Sequence, residues 1–410
     1  MQPTDYDATH DLPFAFPHWQ ASMQLIYAFA EPLPLPRARG VQVLNTVAAL
    51  AEAGAQVTLL HGPVWQDNRT GSSSAALDPF IAAGMSHPAA VALHPLSRAL
   101  PWPLQRWHSS RLFAWRLRRY LQHTPGVITK SGNMPLLVRH LKLAAWLVKA
   151  MPGLRFVYEA HEVFGDTASA AKQAKQRALE QTVVHGAAAI IANSGATAER
   201  LQSLYGAARR IAVIPNGVNW PVTLPTKPWT EAAQHIVYAG SFFPWKGVNE
   251  LMAAAAQLPG HRLQLIGEEN INKINNLRQI SGAAGATLDF TGRLTQSEVM
   301  TQLGASCIAV LPNRDDTDSR FTSPIKLFEY MAAGCAIVAS DLPALREILG
   351  PEDAVWVKAG DAQSLAEGIR GLAANPDLAR ALGERVRQRA HAYTWQARAT
   401  RLLDVLQHLD

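Results

Sequence analysis

Two cysteines in 410 residues, Cys307 and Cys335, are too few for a disulfide framework. Both stand in apolar segments that read as strands, so buried thiols are expected rather than a disulfide or metal site, and a reducing cytoplasm fits. No apolar run is long enough to span a bilayer: LKLAAWLVKAM and AVALHPLSRAL are too short or too charged. The opening MQPTDYDATHDLPF has acids where a signal peptide needs bases, and no apolar core follows, so no secretory leader is expected. A G-x-x-x-x-G-K-[ST] loop is missing, which excludes a Walker-type nucleotide triphosphatase. Neither half opens on G-x-G-x-x-G, which weakens a dinucleotide-dependent reading. No 20–50-residue repeat or low-complexity tract is evident.

Acidic residues are also missing locally. None stands between Asp78 and Glu159, an interval that holds eleven bases, Arg98, Arg106, Arg111, Arg116, Arg118, Arg119, Lys130, Arg139, Lys142, Lys149 and Arg155. That leaves 27 of the 38 Lys and Arg to face all 32 Asp and Glu. The net charge of +6 therefore hides a basic region, 98–155, that suits a polyanion or an anionic membrane surface. Within it, RWHSSRLFAWRLRRYLQH places Phe113, Leu117, Tyr120 and Leu121 on one helical face and Arg111, Trp115, Arg118 and Arg119 elsewhere. Either this helix lies on a membrane, or it packs on its own sheet with solvated arginines; the absence of acids favours the membrane. Nucleic acid is not expected, because no recognised binding module accompanies the charge.

What is present is a rhythm of short apolar strands and helical stretches. In the first half, MQLIYAF (23–29), AQVTLLHG (55–62), GVITKS (126–131), RFVYEA (155–160) and AAAIIANS (187–194) read as strands, with a helix predicted over 39–54. Near 215 the rhythm restarts. NWPVTLPTKPW (219–229), with three prolines, reads as a linker. HIVYAGS, RLQLIGE, TLDFTG, CIAVLP, CAIVAS and AVWVKAG follow as a second strand series, and helices close the chain. This alternation predicts an α/β fold of two Rossmann-like, doubly wound parallel sheets, whose strand C-termini face a central cleft. The expected domains are 1–217 and 218–393, with 394–410 as a closing helix.

Several motifs cluster at predicted strand ends. YAGSFFPWKGV puts Gly240, Ser241 and Lys246 between a strand and a helix, either as a phosphate cradle or as an ordinary turn with a solvated lysine. LIGEE (Gly267) and FTGRL (Arg293, Leu294) each end a strand on glycine, where a ligand can approach the backbone closely. In SPIKLFEYMAAG, Ser323 reads as the N-cap, with Pro324, Ile325 and Lys326 in the first turn and Gly334 as the stop. A lysine at a helix's positive end is electrostatically unfavourable unless an anion sits there. Lys326 and Glu329 share one face, either as an i,i+3 ion pair or as groups for phosphate and ribose hydroxyls. YEAHEVF places His161 between Glu159 and Glu162 at a strand end, an active-site cluster or a structural one. DDTD (315–318) reads as a solvated loop, so no metal requirement is expected.

VIPNGV, GSFFPWKGV, LIGEE, FTGRLTQSEV, VLPN, SPIKLFEYMAAGCAIVASDLPALREIL and YTWQARATRLLDVL occur in this order. Together they resemble glycosyltransferases of family 4, which have the GT-B fold, well over roughly 190–410 and weakly before. The resemblance implies Lys246 as the donor-phosphate lysine, Glu329 as the ribose-binding glutamate and the amides of Ser323–Ile325 as the diphosphate-binding helix start. It also implies that Arg293 and Leu294 lie beside the base, that His161 lies near the transferred sugar and that Gly40 belongs to an acceptor loop. Glu162 would be a general base if the reaction inverts. The last helix is implied to cross back onto the first domain. Two positions depart from the family. The first glutamate of its pair is replaced by Phe321 and its loop arginine by Ser241, for which Arg320, Arg314 or Lys326 could substitute.

The resulting expectation is a cytoplasmic, peripheral inner-membrane glycosyltransferase. It would take a nucleotide-sugar donor, UDP before GDP, and a glycan or lipid-linked acceptor, retaining configuration without metal or cofactor. A sugar-nucleotide 2-epimerase and a non-catalytic, nucleotide-sugar-binding partner subunit are the rival readings.

Overall fold

The computed structural model describes residues 23–35, 37–64, 77–98, 110–125, 134–206, 211–221, 223–321 and 323–409. Among them the first sheet contains β1 (Gln24–Leu33), β2 (Gln56–Pro63), β3 (Val91–Pro95), β4 (Leu136–Val138), β5 (Phe156–Ala160), β6 (Ala189–Ala192) and β7 (Ile211–Val213). Their order is β3-β2-β1-β4-β5-β6-β7, every pair parallel. The second sheet contains β8 (Ile236–Ala239), β9 (Arg262–Ile266), β10 (Thr287–Gly292), β11 (Ile308–Leu311), β12 (Ala336–Ser340) and β13 (Val355–Val357). It runs β10-β9-β8-β11-β12-β13, again all parallel. Each order reverses once, between β1 and β4 and between β8 and β11. In a doubly wound sheet that reversal opens a crevice at the strands' carboxyl ends.

Sequence explains the layers. β5, FVYEA, is buried at every position, as a central parallel strand covered on both faces must be. The helix Ala38–Glu52 is buried along nearly its whole length because it lies between the first sheet and the last helix, Trp395–Gln407. Trp395, Ala399, Leu402, Leu403 and Leu406 of that last helix share one core with Leu25, Tyr27, Val43 and Val47. The chain thus passes between the sheets twice. The two passages are tied by Val218 N–H to Tyr393 O (3.0 Å) and Trp395 N–H to Val218 O (3.1 Å).

The structure corrects several expectations. β3 and β4 were not anticipated, nor was the helix Pro376–Ala390; the expected strand at 126–131 lies outside the described residues. Cys307 and Cys335 are buried but stand one residue ahead of β11 and β12 rather than within them. Ser323 is not the N-cap: the helix runs Ile325–Ala332 behind Pro324. The Ser323 hydroxyl instead accepts from Asn216 N–H (3.1 Å) and its carbonyl from Asn216 Nδ2 (2.7 Å), a link between the two halves. Gly40 lies in the first turn of the helix Ala38–Glu52, not in a loop. A side chain there would collide with the Leu35 carbonyl 2.2 Å from its Cβ position.

Candidate active site

On the second sheet, β8, β9 and β10 leave through Gly240 (φ 141°), Gly267 (φ 127°) and Gly292 (φ 74°). Gly240 N–H donates to Ile266 O (2.9 Å) and Gly267 N–H to Gly292 O (2.8 Å), so the three exits stay in register. A Cβ on Gly267 would lie 2.3 Å from Gly240 O, which a side chain cannot satisfy. The next turn, Pro244–Lys246, ends on left-handed Gly247, and a Cβ there would lie 1.7 Å from Pro312 O. That contact clamps the turn onto the end of β11, at the switch point. Lys246 Nζ lies 3.7 Å from the centre of the Trp245 ring, and Arg314 N–H donates to Trp245 O at 3.0 Å.

Lys326 reaches the same place from the helix Ile325–Ala332. It is 8% exposed, its Nζ lies 4.4 Å from the Tyr238 ring centre, and that ammonium has no hydrogen-bond partner. Its Cδ lies 3.5 Å from the Cβ position of Gly240, which places it beside the glycine exits. Burial, with Lys246 adding to it, pushes the ammonium well below its ordinary value. One turn on, burial pushes the Glu329 carboxyl up to about 7, opposed by a hydrogen bond with Gln296. Of the two readings of this pair, the i,i+3 ion pair is not formed: the Lys326 ammonium has no hydrogen-bond partner. Leaving a charge buried and unpaired costs several kcal/mol, far more than the few tenths an exposed i,i+3 pair returns. The helix carries no acid in its first turn to offset it.

The other donor-side expectations divide. Arg293 faces Glu269 at 3.7 Å, both well exposed, while Leu294 packs against the second sheet's core. Arg320 points to solvent beside Asp315 (3.5 Å), and Arg314 faces Glu250 (3.4 Å). The structure brings neither arginine to Lys326. Phe321 is 8% exposed and packs into the first sheet's core, and its carbonyl accepts from Asn193 Nδ2 (3.1 Å). Ile325 likewise packs against the first domain's core. Asn313, after β11, is 1% exposed with both side-chain polar atoms unpartnered, a residue the sequence did not single out.

Across the cleft, His161 follows β5 and lies 3.4 Å from Glu159, without the alignment of a hydrogen bond. Burial, then Arg139, push the imidazole down to about 4 against the pull of Glu159. Burial alone would raise the Glu159 carboxyl; His161, Arg398 and Arg139 outweigh it and hold that carboxyl below the usual range. Glu162 accepts from Thr167 Oγ1 (3.0 Å). At the β1–β4 switch point, Ala30 N–H donates to His140 Nδ1 (3.3 Å), so Nε2 carries the proton and donates to Glu31 (3.0 Å). Arg39 closes on Glu31 at 2.8 Å, beside Gly40. Asp316 of the DDTD stretch caps the short helix Thr317–Arg320 through Ser319 N–H (2.9 Å). Among the described residues no cluster of His, Cys, Asp or Glu could hold a metal ion.

Two family models match side by side, one described as Glycosyltransferase Family 4 over residues 40–219 and one as Glycosyl transferases group 1 over 233–375. The chain belongs to glycosyltransferase family 4. Among relatives, it is 26% identical over 202 residues to the phosphatidyl-myo-inositol mannosyltransferase of Mycolicibacterium smegmatis, covering 47% of this chain and 50% of that one. The chain thus spans about half the length of the curated relatives it matches. Sucrose-phosphate synthase from Thermosynechococcus elongatus superposes with a TM-score of 0.70 at 20% identity, over 94% of this chain and 99% of that one. Anabaena Alr3699/HepE in complex with UDP-glucose gives 0.67 at 15% identity, over 94% and 100%. The fold of this family 4 member is GT-B.

Proposed function

We propose that this family 4 member transfers a sugar from a nucleotide diphosphate donor to a lipid-linked or polysaccharide acceptor in cell-envelope, exopolysaccharide or lipopolysaccharide biosynthesis. UDP is the preferred nucleotide and GDP the next. The observation that carries the reading is Lys326, a buried ammonium with no hydrogen-bond partner beside the glycine exits and the start of the helix Ile325–Ala332. A diphosphate supplies the anion that site lacks. Lys326, Lys246 and the amides of Ser323, Ile325 and Lys326 then stabilise the charge that develops on the leaving group, and no metal is required. Glu329 accepts ribose hydroxyls, and Arg293 and Leu294 flank the base.

Residues 218–393 are assigned the donor and 1–217, with the returning helix 394–410, the acceptor. His161 lies near the transferred sugar, and the acceptor enters past Gly40. The name of the mannosyltransferase relative and the UDP-glucose complex of the HepE structure support acceptor class and donor class respectively. The helix Ser110–His123 packs Phe113, Leu117 and Leu121 into the first sheet's core rather than laying that apolar face on a membrane; only its outer face, with Trp115 52% exposed and Arg119 beside it, is left for contact with an anionic inner-membrane surface. Among the described residues no helix is long and apolar enough to cross a membrane. Retention of configuration is the expected outcome. Phe321 favours a second reading, a nucleotide-sugar-binding partner subunit, because it leaves no carboxylate at position 321 for the donor sugar.

The test is release of UDP or GDP from a panel of nucleotide sugars in membrane extract. Release from one donor is expected for the enzyme; binding without release in any extract identifies the partner subunit. Anionic and neutral liposomes in co-sedimentation test the surface helix, with binding to the anionic set alone expected.

A further inference from the structure

Behind His161 lies a buried network that ties it to the last helix. Arg398, on Trp395–Gln407, is 2% exposed, and Glu159, on β5, is 1% exposed. Arg398 Nη2 donates to Glu159 Oε1, Nη1 donates to the carbonyls of Ile214 and Pro215 (2.6 Å each), and Nε to Thr46 Oγ1 (3.3 Å). Tyr27, from β1, donates to Glu159 Oε2, and Gln42 Nε2 donates to Oε1 at 2.9 Å. Arg139, following β4, donates to Gln42 Oε1. Both oxygens of Glu159 are therefore committed before His161, 3.4 Å away, is considered.

A packing strap needs none of this. The last helix is already held by Trp395 and four aliphatic side chains, and an apolar residue at 398 would cost less to bury than a guanidinium. Arg398 commits all three of its nitrogens to groups at the carboxyl ends of β5 and β7 and to Thr46 on the helix Ala38–Glu52.

We infer that Arg398 is a positioning residue for His161: from the last helix it fixes the charge and orientation of Glu159, and Glu159 in turn sets the imidazole beside the cleft. The inference rests on the active-site reading of His161 proposed above. It makes the returning helix a functional part of the first domain rather than a fastening. The charged groups that face His161 are Arg139, Glu159 and Arg398, with Tyr27 acting through Glu159.

The test follows the His161 imidazole by nitrogen-15 NMR in the full chain, assigned by its loss in His161→Gln. At neutral pH the imidazole is uncharged, so Arg398 and Arg139 are the cations that keep Glu159 ionised. In Arg398→Met the carboxylate loses its nearest cation, and an imidazolium becomes its replacement. The His161 midpoint should rise by about one pH unit toward the ordinary value near 6.5. In Glu159→Gln the attraction is removed and the midpoint should not rise. Arg398→Lys, which keeps the charge, should keep the midpoint low. If Arg398→Met lowers only the melting temperature and leaves the His161 titration as in the wild type, Arg398 is a strap and the inference fails. It also fails if Arg398→Met and Glu159→Gln move the midpoint the same way. Where a donor is turned over, Arg398→Met should lower kcat about tenfold with donor KM unchanged. The NMR readout decides the linkage even if no transfer is found.

Discussion

The two walls of the cleft treat buried charge in opposite ways. On the first domain, Glu159 is saturated by Tyr27, Gln42 and Arg398, all within the chain. On the second, Lys326 is buried to a similar degree with no hydrogen-bond partner. Folding compensates the first charge and leaves the second to be compensated by something else. The difference teaches that one wall is built as a finished scaffold, while the other, in the proposed function, is completed by an anion.

That contrast can be broken from either side. The largest effect is expected at Glu159. Replacing it with Ala strands Arg398 among carbonyls and should cost about 3–5 kcal/mol of stability, read from denaturant midpoints. A loss below 1 kcal/mol would mean that the network is not a finished scaffold. Phe321 belongs by sequence to the second domain but by packing to the first. Phe321→Ala should destabilise by about 3 kcal/mol while nucleotide affinity is unchanged. A selective loss of donor binding would instead place position 321 in the donor site.

On the receptor side, Lys326→Met should leave the unliganded protein as stable or more so, yet weaken nucleotide diphosphate binding about 100-fold, or about 2.7 kcal/mol. Stability and affinity thus move apart, whereas at Glu159 stability falls first. The smallest effect is on pH. Glu329 is raised to about 7 from 4.5, so between those values the folded protein holds a proton that the unfolded chain has lost. Its contribution to stability therefore declines as pH rises through that window. A donor whose hydroxyls need the carboxylate should bind up to about tenfold more tightly as pH rises from about 6 to 8, with proton release seen by calorimetry in buffers of different ionisation heat. Glu329→Gln should flatten that slope.

Much of the receptor wall was legible in the sequence. Short apolar strands ending on glycine identify the edge of a parallel sheet, and helical spacing puts Lys326 and Glu329 on one side of one helix. The scaffold wall was less legible. Arg398 lies in TWQARATRLL, where an arginine in an amphipathic pattern reads as solvated; only the packing of the last helix against β1 and β5 buries it. Phe321 is conspicuous in sequence as an absent carboxylate, but its actual neighbours come from the other domain. β4, three residues long, gives no periodicity to detect. Ser323 matches a helix-cap pattern, yet its hydroxyl is taken by Asn216, about a hundred residues earlier. Local pattern cannot reveal a partner that only the fold supplies.

The measurement that bears most directly on the receptor wall is calorimetric titration of wild type and Lys326→Met with UDP, GDP and their monophosphates. Wild type should bind one of the diphosphates at a single site, and more tightly than its monophosphate. Lys326→Met should lose about 100-fold on the diphosphate but little on the monophosphate. Equal binding of the diphosphate by both proteins, or no binding by wild type, would contradict that expectation.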